Sequence, residues 1–283
     1  MSGSKKNIVW LASYPKSGNT WFRIFLNNLL SDSEEPVNIN HLHLSHIASS
    51  RSIIDRYLGT HSSDLTPDET KRLRPKVYRM ISEESDTDIF LKTHDAYDFN
   101  ADGDPLFPEE VTRGVLYFIR NPLDIAISFA FHNNADFNKT INNMNDIRFG
   151  LCLSESKLMN QIPQHLLTWS KHVISWVHKS NLPVHVIRFE DMLEEPVFTF
   201  SRALEFLHID YSDKKIHLAL QNSTFEKLSE QEQEYGFQEK YIHSKKFFRN
   251  GASNNWNFYL NTSQIRKIID QNKTIMEEFG YLE

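Results

Sequence analysis

The 283-residue sequence contains a single cysteine, Cys152. No intrachain disulfide and no cysteine-built zinc cluster is therefore possible. No His or Asp adjoins Cys152 in the chain, so it reads as a buried or partly buried small residue. Nine glycines and ten prolines are too few for a collagen-like chain. No apolar run reaches the length of a membrane span, and Ile8 to Ala12 is too short for the core of a secretory leader. The opening from Met1 to Lys6 is polar, so the expectation is a cytoplasmic chain with no stable membrane insertion. Four Asn-x-Ser/Thr triplets, at Asn138, Asn222, Asn261 and Asn272, carry no meaning without secretion. Basic charge is also in short supply: 31 Lys and Arg stand against 37 Asp and Glu, a net charge of -6. That argues against general affinity for nucleic acid and leaves room for one basic pocket around a small anion.

What the sequence does have is material for a large core: 20 Phe, 10 Tyr and 5 Trp within 40% apolar residues. The short apolar run at 8–12 reads as a strand buried on both faces, and 88–92, 115–119 and 184–189 read as further strands. Helical stretches follow them, over 21–30, 67–84, from Pro122 onward, over 163–179, 196–207 and 263–279. Pro67 and Pro122 suit first helical turns. This alternation predicts a parallel α/β sheet with helices on both faces. One domain over 1–283 is expected, with insertions near 35–60, 95–108 and 229–255.

The loop after the first strand has the chemistry of an anion cradle. Gly18 can take a turn closed to other residues, and the amides of Gly18, Asn19 and Thr20 open a helix. Lys16 adds a cation; Ser17 and Thr20 add hydroxyls. The nucleotide-triphosphate loop needs Gly-x-x-x-x-Gly-Lys-Ser/Thr, whereas here the lysine precedes the glycine. A P-loop kinase or hydrolase therefore fits poorly.

Tyr14-Pro15-Lys16-Ser17-Gly18-Asn19-Thr20-Trp21 resembles the Tyr-Pro-Lys-Ser-Gly-Thr-Thr-Trp signature of cytosolic-type sulfotransferases. Those enzymes use 3'-phosphoadenosine 5'-phosphosulfate (PAPS) as sulfuryl donor and release the 3',5'-bisphosphate PAP. The resemblance implies a three-layer, P-loop-like fold. It also implies that Lys16, Ser17, Gly18, Asn19 and Thr20 meet the 5' end of the donor while Trp21 packs on adenine. Arg120-Asn121-Pro122-Leu123-Asp124, with Ser128 eight positions after Arg120, is similar to the family's 3'-phosphate motif. Near the C-terminus, Phe248-Arg249-Asn250-Gly251 and Trp256 resemble its Arg-Lys-Gly segment, with Asn250 replacing lysine and the αL-tolerant Asn254 replacing glycine. Ser223-Thr224-Phe225 resembles the Thr-Ser-Phe beside adenine, and Phe189 stands where the family has a base-proximal tyrosine.

Phe90-Leu91-Lys92-Thr93-His94 resembles the family strand whose histidine is the catalytic base. The resemblance implies that His94 takes a proton from an acceptor hydroxyl during in-line transfer without a covalent intermediate. Lys16 would stabilise the leaving 5'-phosphate, Lys92 would assist, and no metal would be needed. The competing readings are the P-loop enzyme above and a non-catalytic PAP-binding module, against which Lys16, Lys92 and His94 speak.

The expected partner is a small-molecule acceptor, shaped by residues near 35–60, 95–108, 132–160 and 229–248, with no pattern that names it. His41, His43 and His46 read as solvated or acceptor-side residues and His132 as a substrate-facing candidate. Glu226, Glu230, Glu232 and Glu234 read as an exposed acidic face. The family's dimerisation stretch is altered at 257–262, so the oligomeric state stays open.

Overall fold

Four of the five β-strands of the main sheet fall on the short apolar runs of the sequence. The computed structural model describes residues 5–154, 156–242 and 244–282; the polar Met1–Ser4 opening lies outside them. In chain order the regular elements are β1 (Ile8–Ser13), α1 (Asn19–Leu30), β2 (Ser45–Ile47), α2 (Arg51–Leu58), α3 (Pro67–Glu84) and β3 (Ile89–Thr93). They continue as β4 (Thr112–Ile119), α4 (Pro122–Asn133), α5 (Phe137–Met144), β5 (Gly150–Leu151), β6 (Gln164–His165) and α6 (Trp169–Val177). The remainder are β7 (Val184–Arg188), α7 (Phe189–Glu194), α8 (Pro196–Phe206), α9 (Asp213–Asn222), α10 (Phe225–Tyr235) and α11 (Thr262–Glu278). The fold is α/β, with a central parallel five-stranded sheet of order β2-β3-β1-β4-β7 flanked by helices. A separate antiparallel pair, β5-β6, sets Gly150 opposite His165.

The chain forms two compact units, each assembled from three segments. Unit 1 comprises Met1–Tyr14, Ser45–Tyr117 and Asp146–Val186; unit 2 comprises Pro15–Leu44, Phe118–Asn145 and Ile187–Glu283. In unit 1 the fully buried β1 supplies Trp10, whose ring meets Tyr78 and Phe107 edge-on at 4.9 and 4.8 Å. Its indole Nε1 donates to Thr112 Oγ1 at 2.9 Å, so the one polar atom of this core residue is paired. In unit 2 the aromatic core is Phe22, Phe25, Phe118 and Phe200, with Phe25 and Phe200 only 4.5 Å apart.

Local rules account for several boundaries. Thr66 and Glu69 form a reciprocal capping box at α3, with Pro67 in its first turn. Asn121 accepts from Leu123 N at the start of α4. Three expectations need correction. The helix foreseen over 163–179 is only Trp169–Val177, because Leu167 has φ +60° and breaks any helix there, leaving Gln164–His165 free to pair as β6. The polar 35–60 stretch contains β2 and α2, and β2 joins the main sheet by pairing with β3. The stretch from 229 stays helical to Tyr235 before it becomes irregular.

In an open α/β sheet, ligand sites lie beyond the C-terminal ends of strands where the strand order reverses. Here β3 lies on one side of β1 and β4 on the other. The segments issuing from that point are residues 14–18 after β1 and Arg120-Asn121 after β4.

Candidate active site

In unit 2 the loop after β1 carries the residues of the first motif into the start of α1. Lys16 and Gly18 have φ of +73° and +93°, and the Gly18 carbonyl accepts from Trp21 N at 2.9 Å to open α1. A Cβ on Gly18 would sit 2.7 Å from Phe189 Cδ2, so glycine is required by both conformation and space. Ser17, Asn19 and Thr20 are buried at the amino end of α1, the end of a helix that favours negative charge. Lys16 Nζ rests 4.0 Å from the centre of the Phe247 ring.

Arg120 ties this loop to the C-terminal segment. Its Nη1 donates to Lys16 O at 3.1 Å and its Nη2 to Ala252 O at 2.9 Å, while its guanidinium lies 4.1 Å above the Phe189 ring. Burial pushes the Arg120 pKa down and the carboxylates of Asp124 and Glu190 oppose that shift. A bound anion would relieve the same desolvation. Ser128 is half-buried in α4, two turns beyond Arg120.

The segment from Phe247 to Asn255 is clasped at both ends by carboxylates. Glu232 accepts from the amides of Phe247 and Phe248 at 2.7 and 2.9 Å; Asp124 accepts from those of Asn254 and Asn255 at 2.7 and 3.1 Å. Between the clasps, Gly251 has φ +56°, and a Cβ there would fall 2.4 Å from the Phe225 ring. Arg249 stacks over Phe131 at 4.3 Å, Asn250 is exposed, and Asn254 takes the left-handed conformation foreseen for it, φ +60°. Trp21 meets Phe189 and Phe200 edge-on, and together with Phe225 and Phe247 it packs against the buried cluster of Ile24, Ile39, Leu228, Phe237 and Phe248. Ser223 is fully buried and its hydroxyl donates back to Ala219 O at 2.8 Å, so its side chain serves the end of α9.

These residues fit a nucleotide bearing two anionic groups. Among the described residues of the cradle, Ser17 Oγ, Trp21 Nε1 and Arg120 Nε are buried without a hydrogen-bond partner. Leaving such atoms unpaired costs about 1–3 kcal/mol each. A phosphate-rich ligand with a purine supplies acceptors at this kind of site.

Unit 1 holds His94 and Lys92. The register Ala12↔Thr93 brings the next residues, Ser13 and His94, side by side. His94 Nδ1 lies 2.8 Å from Ser13 O and 3.2 Å from Ser13 Oγ. A carbonyl only accepts, so Nδ1 carries the proton and Nε2 is the basic nitrogen of the neutral ring. Lys92 is half-buried within β3. Asp95 next to His94 is gripped by Arg74 through contacts of 3.1 and 2.6 Å.

Two acids depart from their sequence reading. Glu226, Glu230 and Glu234 are exposed as expected, but Glu232 is buried and holds the Phe247–Phe248 backbone. The positions 225, 228 and 232 share one helix face, which is the signal that marks Glu232 as inward. Asp124, given no role of its own within the Arg120 motif, is the second clasp. His132 is half-buried beside Phe129, Tyr241 and Phe247. The rings of His41 and His43 stack at 5.7 Å, and no group of three or more potential metal ligands occurs among the described residues. Burial raises the Cys152 thiol pKa, the reverse of an activated nucleophile. No helix among the described residues is long and apolar enough to cross a membrane.

Comparison with solved structures finds the same fold in mouse sulfotransferase SULT7A1 complexed with PAP. That chain is 18% identical, the match covers 96% of this chain and 85% of that one, and the TM-score is 0.58. Retinol dehydratase in complex with retinol and PAP is 17% identical over 96% of this chain and 82% of that one, with a TM-score of 0.63. Luciferin sulfotransferase of Photinus pyralis is 23% identical over 238 residues, 78% of this chain. The match spans only 56% of that relative's length. Residues 6–280 match the sulfotransferase domain family, and with the motifs at both ends of the chain standing in the folded cradle, the protein belongs to that family.

Proposed function

We propose that residues 1–283 form one catalytic domain that moves the sulfuryl group of PAPS to the hydroxyl, or amine, of a small-molecule acceptor. The observation that carries this reading is the set of buried, partnerless donors, Ser17 Oγ, Trp21 Nε1 and Arg120 Nε, at the motif positions. When bound, PAPS supplies the sulfuryl group and PAP is the product.

The roles of the residues follow from their chemistry. Lys16, Ser17 and the amides of Gly18, Asn19 and Thr20 hold the 5' end. Arg120, Ser128, Arg249 and Gly251 hold the 3'-phosphate, with Phe248 and Asn250 carrying the closing segment. Trp21, Phe225 and Phe189 supply the packing surface for adenine, and Ser223 holds the turn that presents Phe225. His94 Nε2 receives the acceptor proton; its Nδ1–H, occupied by Ser13 O, keeps that nitrogen basic. The Lys16 ammonium opposes negative charge at the departing 5'-phosphate oxygen, and Lys92 is the second cation. None of these roles calls on a metal.

The test is incubation with sulfur-labelled PAPS and a panel comprising 4-nitrophenol, a primary alcohol, a steroid alcohol and an amino sugar. Label on an acceptor with equimolar PAP is the expected result. Phosphate transfer from ATP would overturn the reading in favour of a kinase. PAP binding without transfer to any acceptor would favour a non-catalytic PAP-binding module.

A further inference from the structure

A buried chain of hydrogen bonds in unit 1 terminates on the backbone of His94, and the roles assigned above make no use of it. His172, fully buried in α6, has its Nε2 3.1 Å from His94 O and its Nδ1 2.8 Å from the Tyr117 hydroxyl. The His94 carbonyl can only accept, so His172 Nε2 carries the proton. In the neutral ring Nδ1 is then an acceptor, and the Tyr117 O–H donates to it. Each proton along Tyr117, His172 and His94 is thereby assigned by its partners.

Four residues further along the same helix face, Trp176 Nε1 donates to Asp95 O at 2.9 Å. Ser175 Oγ accepts from Tyr97 N at 3.0 Å, Ala96 N donates to His165 O at 2.8 Å, and Asp95 N donates to Thr93 Oγ1 at 3.1 Å. Five of the eight backbone polar groups from His94 to Tyr97 are thus held. Two of those grips are neighbouring carbonyls taken by side chains of α6 spaced by one turn.

We propose that His172 is a positioning residue for His94: the Tyr117-oriented Nε2–H of His172 fixes the His94 carbonyl and, through it, the direction of the His94 imidazole. This rests on the reading of His94 as base. Burial pulls the His172 pKa down to about 4, so it stays neutral, with one acceptor and one donor nitrogen, through the near-neutral range. A base displaced by about 1 Å from its proton loses on the order of 100-fold in rate. The donor cradle contains neither His172 nor Tyr117, so PAP affinity should not follow.

The experiment compares His172→Leu, His172→Gln, Tyr117→Phe and His94→Ala with the unsubstituted protein. It reads kcat with the best acceptor of the panel above, Kd for PAP by calorimetry, and the tautomer of the His94 ring by nitrogen-15 NMR. The expected result is a kcat about 10- to 100-fold lower in His172→Leu with PAP Kd within twofold. His172→Gln should recover most of the loss, since its amide N–H reaches as far as Nε2–H. NMR should give a single Nδ1–H tautomer of His94 in the unsubstituted protein and a mixture in His172→Leu, with a smaller change in Tyr117→Phe. If His172→Leu keeps its kcat and a single His94 tautomer while His94→Ala is inactive, the positioning role is overturned and the base stands. If His172→Gln is no better than leucine, or PAP affinity falls in step with kcat, His172 is merely structural and the inference fails. If His94→Ala retains full activity, the base reading itself falls and takes this inference with it.

Discussion

Two regions of the molecule, the loop at residues 15–21 with Arg120 and the backbone after β3, differ in how their polar groups are satisfied. In unit 2 the cradle at residues 15–21 and Arg120 carries buried donors without partners. In unit 1 the backbone from His94 to Tyr97 is held by His172, Trp176, His165, Ser175 and Thr93. A binding site pays the desolvation of its donors in advance and recovers it from the ligand, so partnerless donors mark where an anion belongs. A base must instead be aimed before its substrate arrives, and on the proposed reading of His94 the bonded backbone beneath it does the aiming. On the proposed roles the contrast separates binding from chemistry by residue, and variants can break it on either side.

The largest effect is expected at His94. His94→Ala should lower kcat by about 100- to 10,000-fold, the usual worth of a positioned base, with PAP Kd within a fewfold. A parallel loss of PAP affinity would erase the separation between the units.

The buried support of His94 should make stability depend on pH. Burial lowers the His172 pKa from 6.5 to about 4, so between those values the unfolded chain binds a proton that the folded chain refuses. This contribution is intact above about pH 6.5, falls as the pH drops through that window, and levels off below about pH 4. The full loss is about 3 kcal/mol. Urea unfolding from pH 4 to 7 checks it: His172→Gln should lack one proton's worth of the slope, and an unchanged slope would assign it elsewhere.

On the cradle side, Gly18→Ala should cost about 1–2 kcal/mol in stability or PAP binding through its positive φ alone. Contact with Phe189 adds to that cost. Pairing it with Phe189→Ala should remove the contact and leave the backbone cost, which thermal melts with and without PAP would resolve. The smallest effect is expected from EDTA, which should leave the rate unchanged. Loss of activity restored by an added divalent metal would require a different catalytic arrangement.

Much of the cradle is legible in the sequence because anion loops are local: Lys16, Ser17 and Gly18 sit within three positions, and the helix start that uses them follows at once. The capped helices α3 and α4 are legible for the same reason, with Thr66, Glu69, Asn121 and Pro122 acting on neighbouring residues. The edge strand β2 is not, since Ser45-His46-Ile47 is too short to carry an alternation and owes its state to pairing with β3. Nor is the start of α6, which Leu167 sets by a backbone angle no residue-type rule anticipates for leucine. Glu232 reads as surface until its partners, the amides of Phe247 and Phe248, come into view. The His172–Tyr117 pair joins residues 55 apart, and only folding reveals it.

Unit 2 as a 3',5'-bisphosphate site can be tested without knowing the acceptor. Calorimetric titration of PAP and of adenosine 5'-phosphate into the unsubstituted protein and Arg120→Ala isolates the contribution of the 3'-phosphate. One buried, charge-assisted contact of this kind is worth about 1.5–3 kcal/mol, so PAP should bind the unsubstituted protein about 10- to 100-fold more tightly than the monophosphate. That gap should largely close in Arg120→Ala, with a smaller loss for the monophosphate because Arg120 also holds the Lys16 carbonyl. Equal affinity for the two nucleotides in the unsubstituted protein, or equal losses for both in Arg120→Ala, would contradict the assignment.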